Sequence, residues 1–88
     1  MDPERLPVFP GFADIARRRR EVIAELADAR RAEQLSQTEV AARMGTSQSV
    51  VARLESGEID ARLSTLQRYA SAVGRELRMD VTPPGRPR

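Results

Sequence analysis

Apolar residues recur every three to four positions along most of this chain, then switch to every second position near its end. Ile15, Val22, Ile23, Leu26 and Ala29 form one stripe, which predicts a long helix from Asp14, as its N-cap, to about Glu33. Leu35 leads into the next element. Ser36 and Glu39 have the spacing of a capping box, so a second helix should open there. Val40, Ala41 and Met44 share one face of it. Gly45 can adopt the left-handed conformation that ends a helix and turns the chain. Ser47 can cap a third helix that points Val51 and Leu54 inward and stops at Gly57. Ala41 falls where these two short helices would cross, and a larger side chain would push them apart. After a polar loop over residues 58–62, Ser64 and Gln67 suggest another capping box. That helix would run through Val73, bury Leu66, Tyr69, Ala70 and Val73, and end at Gly74.

Over residues 76–82 apolar Leu77, Met79 and Val81 alternate with Glu76, Arg78 and Asp80, the pattern of a half-buried strand. It is the one strand signal in the chain. A lone strand leaves backbone N–H and C=O groups unpaired, and the simplest remedy is the same strand of a second copy across a two-fold axis. Leu77, Met79 and Val81 are therefore the expected dimerisation residues. The expected architecture is all-α: a bundle of four to five helices with a C-terminal strand able to pair across a dimer. Residues 1–11, with Pro3, Pro7 and Pro10, read as an irregular arm that folds Val8, Phe9 and Phe12 against the domain. Residues 12–74 form the helical domain, 75–82 the strand segment and 83–88 a short tail after Pro83.

At 88 residues the chain holds one domain, with a modest margin from core burial. It has no cysteine and no histidine, which removes disulfides, thiolate metal sites and the usual general base. No cofactor or metal is expected. No apolar run approaches membrane-spanning length and no signal-peptide pattern opens the chain, so a cytoplasmic protein without membrane contact is expected. The formal net charge is only +2, yet all 15 basic residues are arginine. GC-rich codon usage accounts for this blandly. Bidentate recognition of phosphate and guanine accounts for it functionally, and the two are compatible.

Two short capped helices joined at Gly45 make a helix-turn-helix pattern, whose second helix is the one that enters a major groove. The stretch Leu35-Ser36-Gln37-Thr38-Glu39-Val40-Ala41, then Gly45, then residues 47–57 closely resembles the Xre-type, phage-repressor-like DNA-binding domains. With the preceding helix the resemblance covers about two-thirds of the chain. The closing helix, Gly74 and the terminal strand look most like antitoxins of the HigA or HipB kind, which repress their own operons and neutralise a toxin. A free-standing Xre-type regulator without a toxin is the alternative.

The resemblance implies that Ser47, Gln48, Ser49 and Arg53 reach base edges. Gln48 can pair with adenine N6 and N7, and Arg53 with guanine O6 and N7. The bland readings are solvated helix surface for Gln48 and Ser49, and an ion pair with a helical neighbour for Arg53. Position 50 is usually polar in phage repressors. Here Val50 either touches a thymine methyl or packs. Gln37, at a helix N-terminus, is expected on the sugar-phosphate backbone, with Ser47, Ser56, Arg62 and Arg43 as further phosphate candidates. Glu55 is implied to pair structurally with Arg30 or Arg31. The expected partner is double-stranded DNA carrying an inverted-repeat operator, bound by a homodimer whose recognition helices sit about 34–36 Å apart.

The run Arg17-Arg18-Arg19-Arg20 points all round a helix axis and cannot form one basic face. Arg17 can pair with Glu21 at i,i+4, while Arg18 should reach Glu25 only indirectly. Cations near a helix N-terminus oppose the dipole, which leaves phosphate contact or toxin binding open for the run. A toxin partner, a ribonuclease-like protein, would be met by the long first helix or the arm. Catalysis is not expected. Glu55, Glu58 and Asp60 lie close in sequence, but no histidine, cysteine or Gly-rich phosphate loop accompanies them.

Overall fold

The computed structural model describes residues 12–79 and 81, with the side chains of Phe12 and Ala13 excepted. Among these residues four helices form: α1 (Phe12–Ala32), α2 (Gln37–Met44), α3 (Gln48–Ser56) and α4 (Leu63–Ala72). Helix α2 packs on α3 and α4, and α1 packs on α3 and α4. The core is apolar throughout. Ile23 and Leu26 of α1 meet Val40, Ala41 and Met44, Val51 and Leu54, and Leu66, Tyr69, Ala70 and Val73. Val40 and Val51 are wholly enclosed, and Ala41 is buried as the close approach of α2 and α3 requires.

Helix starts follow the sequence at α2 and α3. The Ser36 hydroxyl accepts from the Glu39 N–H (3.0 Å), and the Ser36 N–H donates to the Glu39 carboxylate (2.8 Å). The bond from the Ser36 N–H, and after it the nearby Ser36 side chain, hold the Glu39 carboxyl below the usual range. The Ser47 hydroxyl accepts from the Val50 N–H (3.3 Å). The other two starts differ from expectation. Helix α1 begins at Phe12, so Asp14 lies inside its first turn, ion-paired to Arg17, and is not the N-cap. Helix α4 begins at Leu63, with Arg62 as an N-cap that makes no side-chain cap bond. Ser64 is therefore already helical, and the Ser64–Gln67 capping box does not form. The helix starts at the apolar Leu63, two residues earlier than a Ser64 cap would place it.

All four helices end in one way. A residue at the cap or just past it takes a positive φ: Gln34 (59°), Gly45 (75°), Gly57 (79°) and Gly74 (72°). In each case the next N–H reaches back to the carbonyl five residues earlier, as Leu35 to Arg30, Thr46 to Ala41, Glu58 to Arg53 and Arg75 to Ala70. This satisfies carbonyls that the helix leaves orphaned. Gln34 carries a Cβ into a conformation that glycine occupies freely.

Other sequence expectations need correction. Ile15 does not join the α1 stripe and is 62% exposed, while Ala27 is buried unexpectedly. Arg17 pairs with Asp14 and not with Glu21, and Arg18 bonds Glu25 directly (3.2 Å) as well as Glu21 (3.4 Å). A long arginine side chain spans the two turns that short-range spacing rules overlook. Residues 75–79 form neither helix nor ladder in the single chain, since a strand needs a partner to bond. Leu77 packs against the core, whereas Met79 is 63% and Val81 98% exposed. The arm expectation for Val8 and Phe9, the side chain of Phe12, and residues 80 and 82–88 lie outside the described residues.

Candidate nucleic-acid interface

Helix α3 buries Val51 and Leu54 and turns Gln48, Ser49 and Arg53 to solvent. Its first turn carries no acid, so the free N–H groups and positive dipole end are not neutralised from within. Ser47 caps this end, and its hydroxyl lies 3.1 Å from that of Ser49. Val50 is half-buried against the core, which favours the packing alternative for that position. The Arg53 guanidinium makes no ion pair among the described residues.

Beneath this face lies a polar cluster centred on Glu55. The side chains of Arg30 and Glu55 are only 12% and 8% exposed. Arg30 donates Nε (2.7 Å) and Nη2 (3.1 Å) to the two carboxylate oxygens, a bidentate geometry, and Nη1 to the Leu35 carbonyl (2.9 Å). The Tyr69 hydroxyl and Gln37 Nε2 (3.0 Å) also donate to Glu55. Burial would raise the Glu55 pKa, but the bonds from Arg30, Tyr69 and Gln37 outweigh it and hold the carboxyl below its usual range. The Arg30 pKa is raised by its bond to Glu55 against the cost of burial. Burial first, then Glu55, pushes the Tyr69 phenol well above its ordinary value. Of the two partners expected for Glu55, Arg30 is the one engaged. Arg31 pairs with Asp28 (3.2 Å).

Gln37 connects this cluster to the surface. With Nε2 spent on Glu55, its Oε1 accepts from Gln48 Nε2 at 2.7 Å. The carboxylate can only accept, so it fixes which end of the Gln37 amide faces outward. Gln37 in turn fixes the Gln48 amide, leaving the Gln48 Oε1 and one N–H of its Nε2 uncommitted. That donor and acceptor pair is what the Hoogsteen edge of adenine requires. Nothing local in the sequence announces the Gln37–Gln48 or Glu55–Tyr69 bonds, because their partners are 11 and 14 residues apart on different helices.

The remaining candidates are placed as follows. The Ser56 hydroxyl lies 3.1 Å from the Arg53 carbonyl and 2.9 Å from Glu58, with one proton to serve both. Arg62 is exposed at the start of α4. The Arg43 guanidinium donates to the Ala72 carbonyl (2.8 Å) and so closes the C-terminus of α4. To meet a phosphate it must leave that bond. The three carboxylates that lie close in sequence are dispersed: Glu55 faces Arg30, Glu58 faces Ser56, and Asp60 pairs with Arg19 (2.6 Å). Among the described residues no acidic group of three could hold a metal, and no helix is long and apolar enough to cross a membrane.

The helix-turn-helix family matches this chain over residues 26–79. Two curated relatives, the proteins named antitoxin HigA1 from Mycobacterium tuberculosis strains CDC 1551 / Oshkosh and H37Rv, are each 44% identical over 73 residues. That alignment covers 83% of this chain but 49% of the relative, so the chain spans about half the length of the curated relatives it matches. No solved structure matches the chain. The capped α2, the turn at Gly45 and the exposed α3 lie within the matched residues, and the chain belongs to the helix-turn-helix family, in its Xre-type form.

Proposed function

We propose that this chain is a sequence-specific DNA-binding repressor that reads an inverted-repeat operator as a homodimer. It acts as the antitoxin of a toxin–antitoxin pair and represses the operon that encodes both. The observation that carries the DNA reading is the Glu55–Gln37–Gln48 chain of hydrogen bonds, which presents an oriented amide on the capped helix that also exposes Arg53. Gln48 reads adenine and Arg53 reads guanine, with Ser47 and Ser49 at neighbouring positions. Gln37, Ser56 and Arg62 meet the phosphates that set the register of the helix in the groove. Leu77, Met79 and Val81 join the two copies, and residues 76–79, which make no backbone hydrogen bond among the described residues, support that role. The antitoxin reading is supported by the name of the relatives that align over most of this chain.

Gel-shift titration against the DNA upstream of the chain's own reading frame tests the first part. Each bidentate base contact contributes about 1–3 kcal/mol of discrimination, so Gln48→Ala should lose about 5- to 150-fold of its preference for the operator at each half-site. Equal binding to operator and scrambled DNA by the parent protein would reject the reading. Co-purification with the product of the adjacent reading frame, and relief of that product's toxicity, tests the second part.

A further inference from the structure

The large apolar side chains left exposed among the described residues are Ile15, Leu63, Met79 and Val81. Three of them, with Leu77, line one groove of about 630 Å³ between the first half of α1, the start of α4 and the C-terminal segment. No α2 or α3 residue lines that groove, so an occupant there leaves the recognition helix free. The segment along its edge makes no backbone hydrogen bond over residues 76–79 among the described residues. A second copy of the same segment supplies both missing things, hydrogen-bond partners and apolar cover.

We propose that residues 76–82 pair antiparallel with the same residues of a second copy in the single register that sets Met79 opposite Met79. This rests on the dimer reading above and adds to it a register and a set of cross-strand partners. Residues directly opposite in an antiparallel pair project from the same face, so the two-fold axis must pass through a residue and not between two. With the axis at Met79, Leu77 faces Val81, Arg78 faces Asp80 twice over, and Glu76 faces Thr82. With the axis at Arg78, Arg78 faces Arg78 and Glu76 faces Asp80, both repulsive. An axis at Asp80 sets Asp80 against itself. An axis at Leu77 brings Arg75 opposite Met79 on the apolar face, although Arg75 is drawn back to Glu33 (3.1 Å). Only Met79 satisfies both the apolar and the charged face. It also centres the ladder between Gly74, which ends the α4 motif, and Pro83–Pro84, which cannot donate.

The register has a consequence for DNA. Moving the axis from Met79 to Leu77 slides one copy four residues along the other, about 13 Å at strand rise. The recognition helices must stay about one helical turn apart to read one face of a duplex, so the pairing of residues 76–82 fixes the half-site spacing.

The chain has no cysteine, so single-cysteine variants report the register directly. Cα atoms of opposite residues sit about 4.5–5.5 Å apart, within disulfide reach. Under mild oxidation Met79→Cys should cross-link to a covalent dimer nearly completely, and Leu77→Cys should not. Arg78→Cys and Asp80→Cys should each stay uncross-linked alone and form heterodimers when mixed. Arg78→Asp should weaken dimerisation about 30-fold, from two pairs at the upper end of cross-strand energies, and Arg78→Asp with Asp80→Arg should restore it. Cross-linking at Leu77→Cys without Met79→Cys, in a chain that sediments as a dimer, overturns the register and leaves the dimer standing. A chain that is monomeric at every concentration overturns both. Met79 is exposed, so its replacement does not threaten the fold of the domain.

Discussion

Replacing Glu55 by Gln keeps shape and removes one charge at the point where side chains of all four helices meet. The carboxylate accepts from Arg30 twice, from Gln37 and from Tyr69. An amide has one oxygen and two N–H groups, so at least one donor of that set must face another donor. Arg30, nearly buried, would be left with an uncompensated charge. Breaking a buried pair from one side costs about 3–5 kcal/mol, and the retained oxygen recovers part of it, so about 3 kcal/mol is expected. In a domain whose total stability is about 5–15 kcal/mol this is a large fraction. Urea unfolding followed by circular dichroism at pH 7 reads it as a fall in midpoint at unchanged slope. The pH dependence gives an independent check. The folded Glu55 pKa lies below its unfolded value, so its contribution is present above about pH 4.5 and is lost as pH falls through the folded value. The Glu55→Gln protein should lack that part of the acid limb. A midpoint shift worth less than about 1 kcal/mol, or an acid limb identical to the parent's, would refute the reasoning that the cluster is a tightly satisfied unit.

Tyr69→Phe removes one bond to a charged acceptor and should cost about 1.5–3 kcal/mol at neutral pH. The folded Tyr69 pKa is raised, so the parent should lose stability as pH climbs above about 10, where the unfolded phenol ionises. Tyr69→Phe should flatten that alkaline limb in the same urea experiment. At the helix ends, Gly45→Ala meets open space but a strained φ and should destabilise by about 1 kcal/mol, while Gln34→Gly should stabilise by about 0.5–1 kcal/mol in thermal melts. Arg62→Ala should weaken binding to all DNA sequences alike and lower the slope of log affinity against log salt by about 1, as removal of one phosphate contact requires.

The matched core was legible because its signals are local. Ser36 with Glu39, Gly45, Ser47 and Gly57 each bond within their own helix end, so spacing alone placed α2 and α3. The buried faces of these helices and of α4 followed from period. What stayed hidden depends on neighbours in space. Asp14 and Ser64 are good caps by residue type, yet packing let α1 and α4 start at Phe12 and Leu63. Ile15 fits the α1 stripe by period but lies beyond the end of the single-chain core. Residues 75–79 carry a clear two-residue alternation, but no ladder forms without a second edge. At the candidate interface, residue type suggested Gln37 and Gln48 separately. Their mutual bond, and the role of Tyr69 beneath it, depend on tertiary approach. Arg43 reads as a surface cation in the sequence, and the nearby end of α4 gives it a carbonyl to close.

The central claim is that Gln48, oriented by Gln37, and Arg53 read base edges from α3. Selection of binding sites from random duplex DNA, run in parallel for the parent, Gln48→Ala and Arg53→Ala, tests it most directly. The account predicts an inverted repeat for the parent, loss of preference at one adenine per half-site for Gln48→Ala, and loss at one guanine per half-site for Arg53→Ala. The same enriched sequence from all three proteins, at every position, would contradict it.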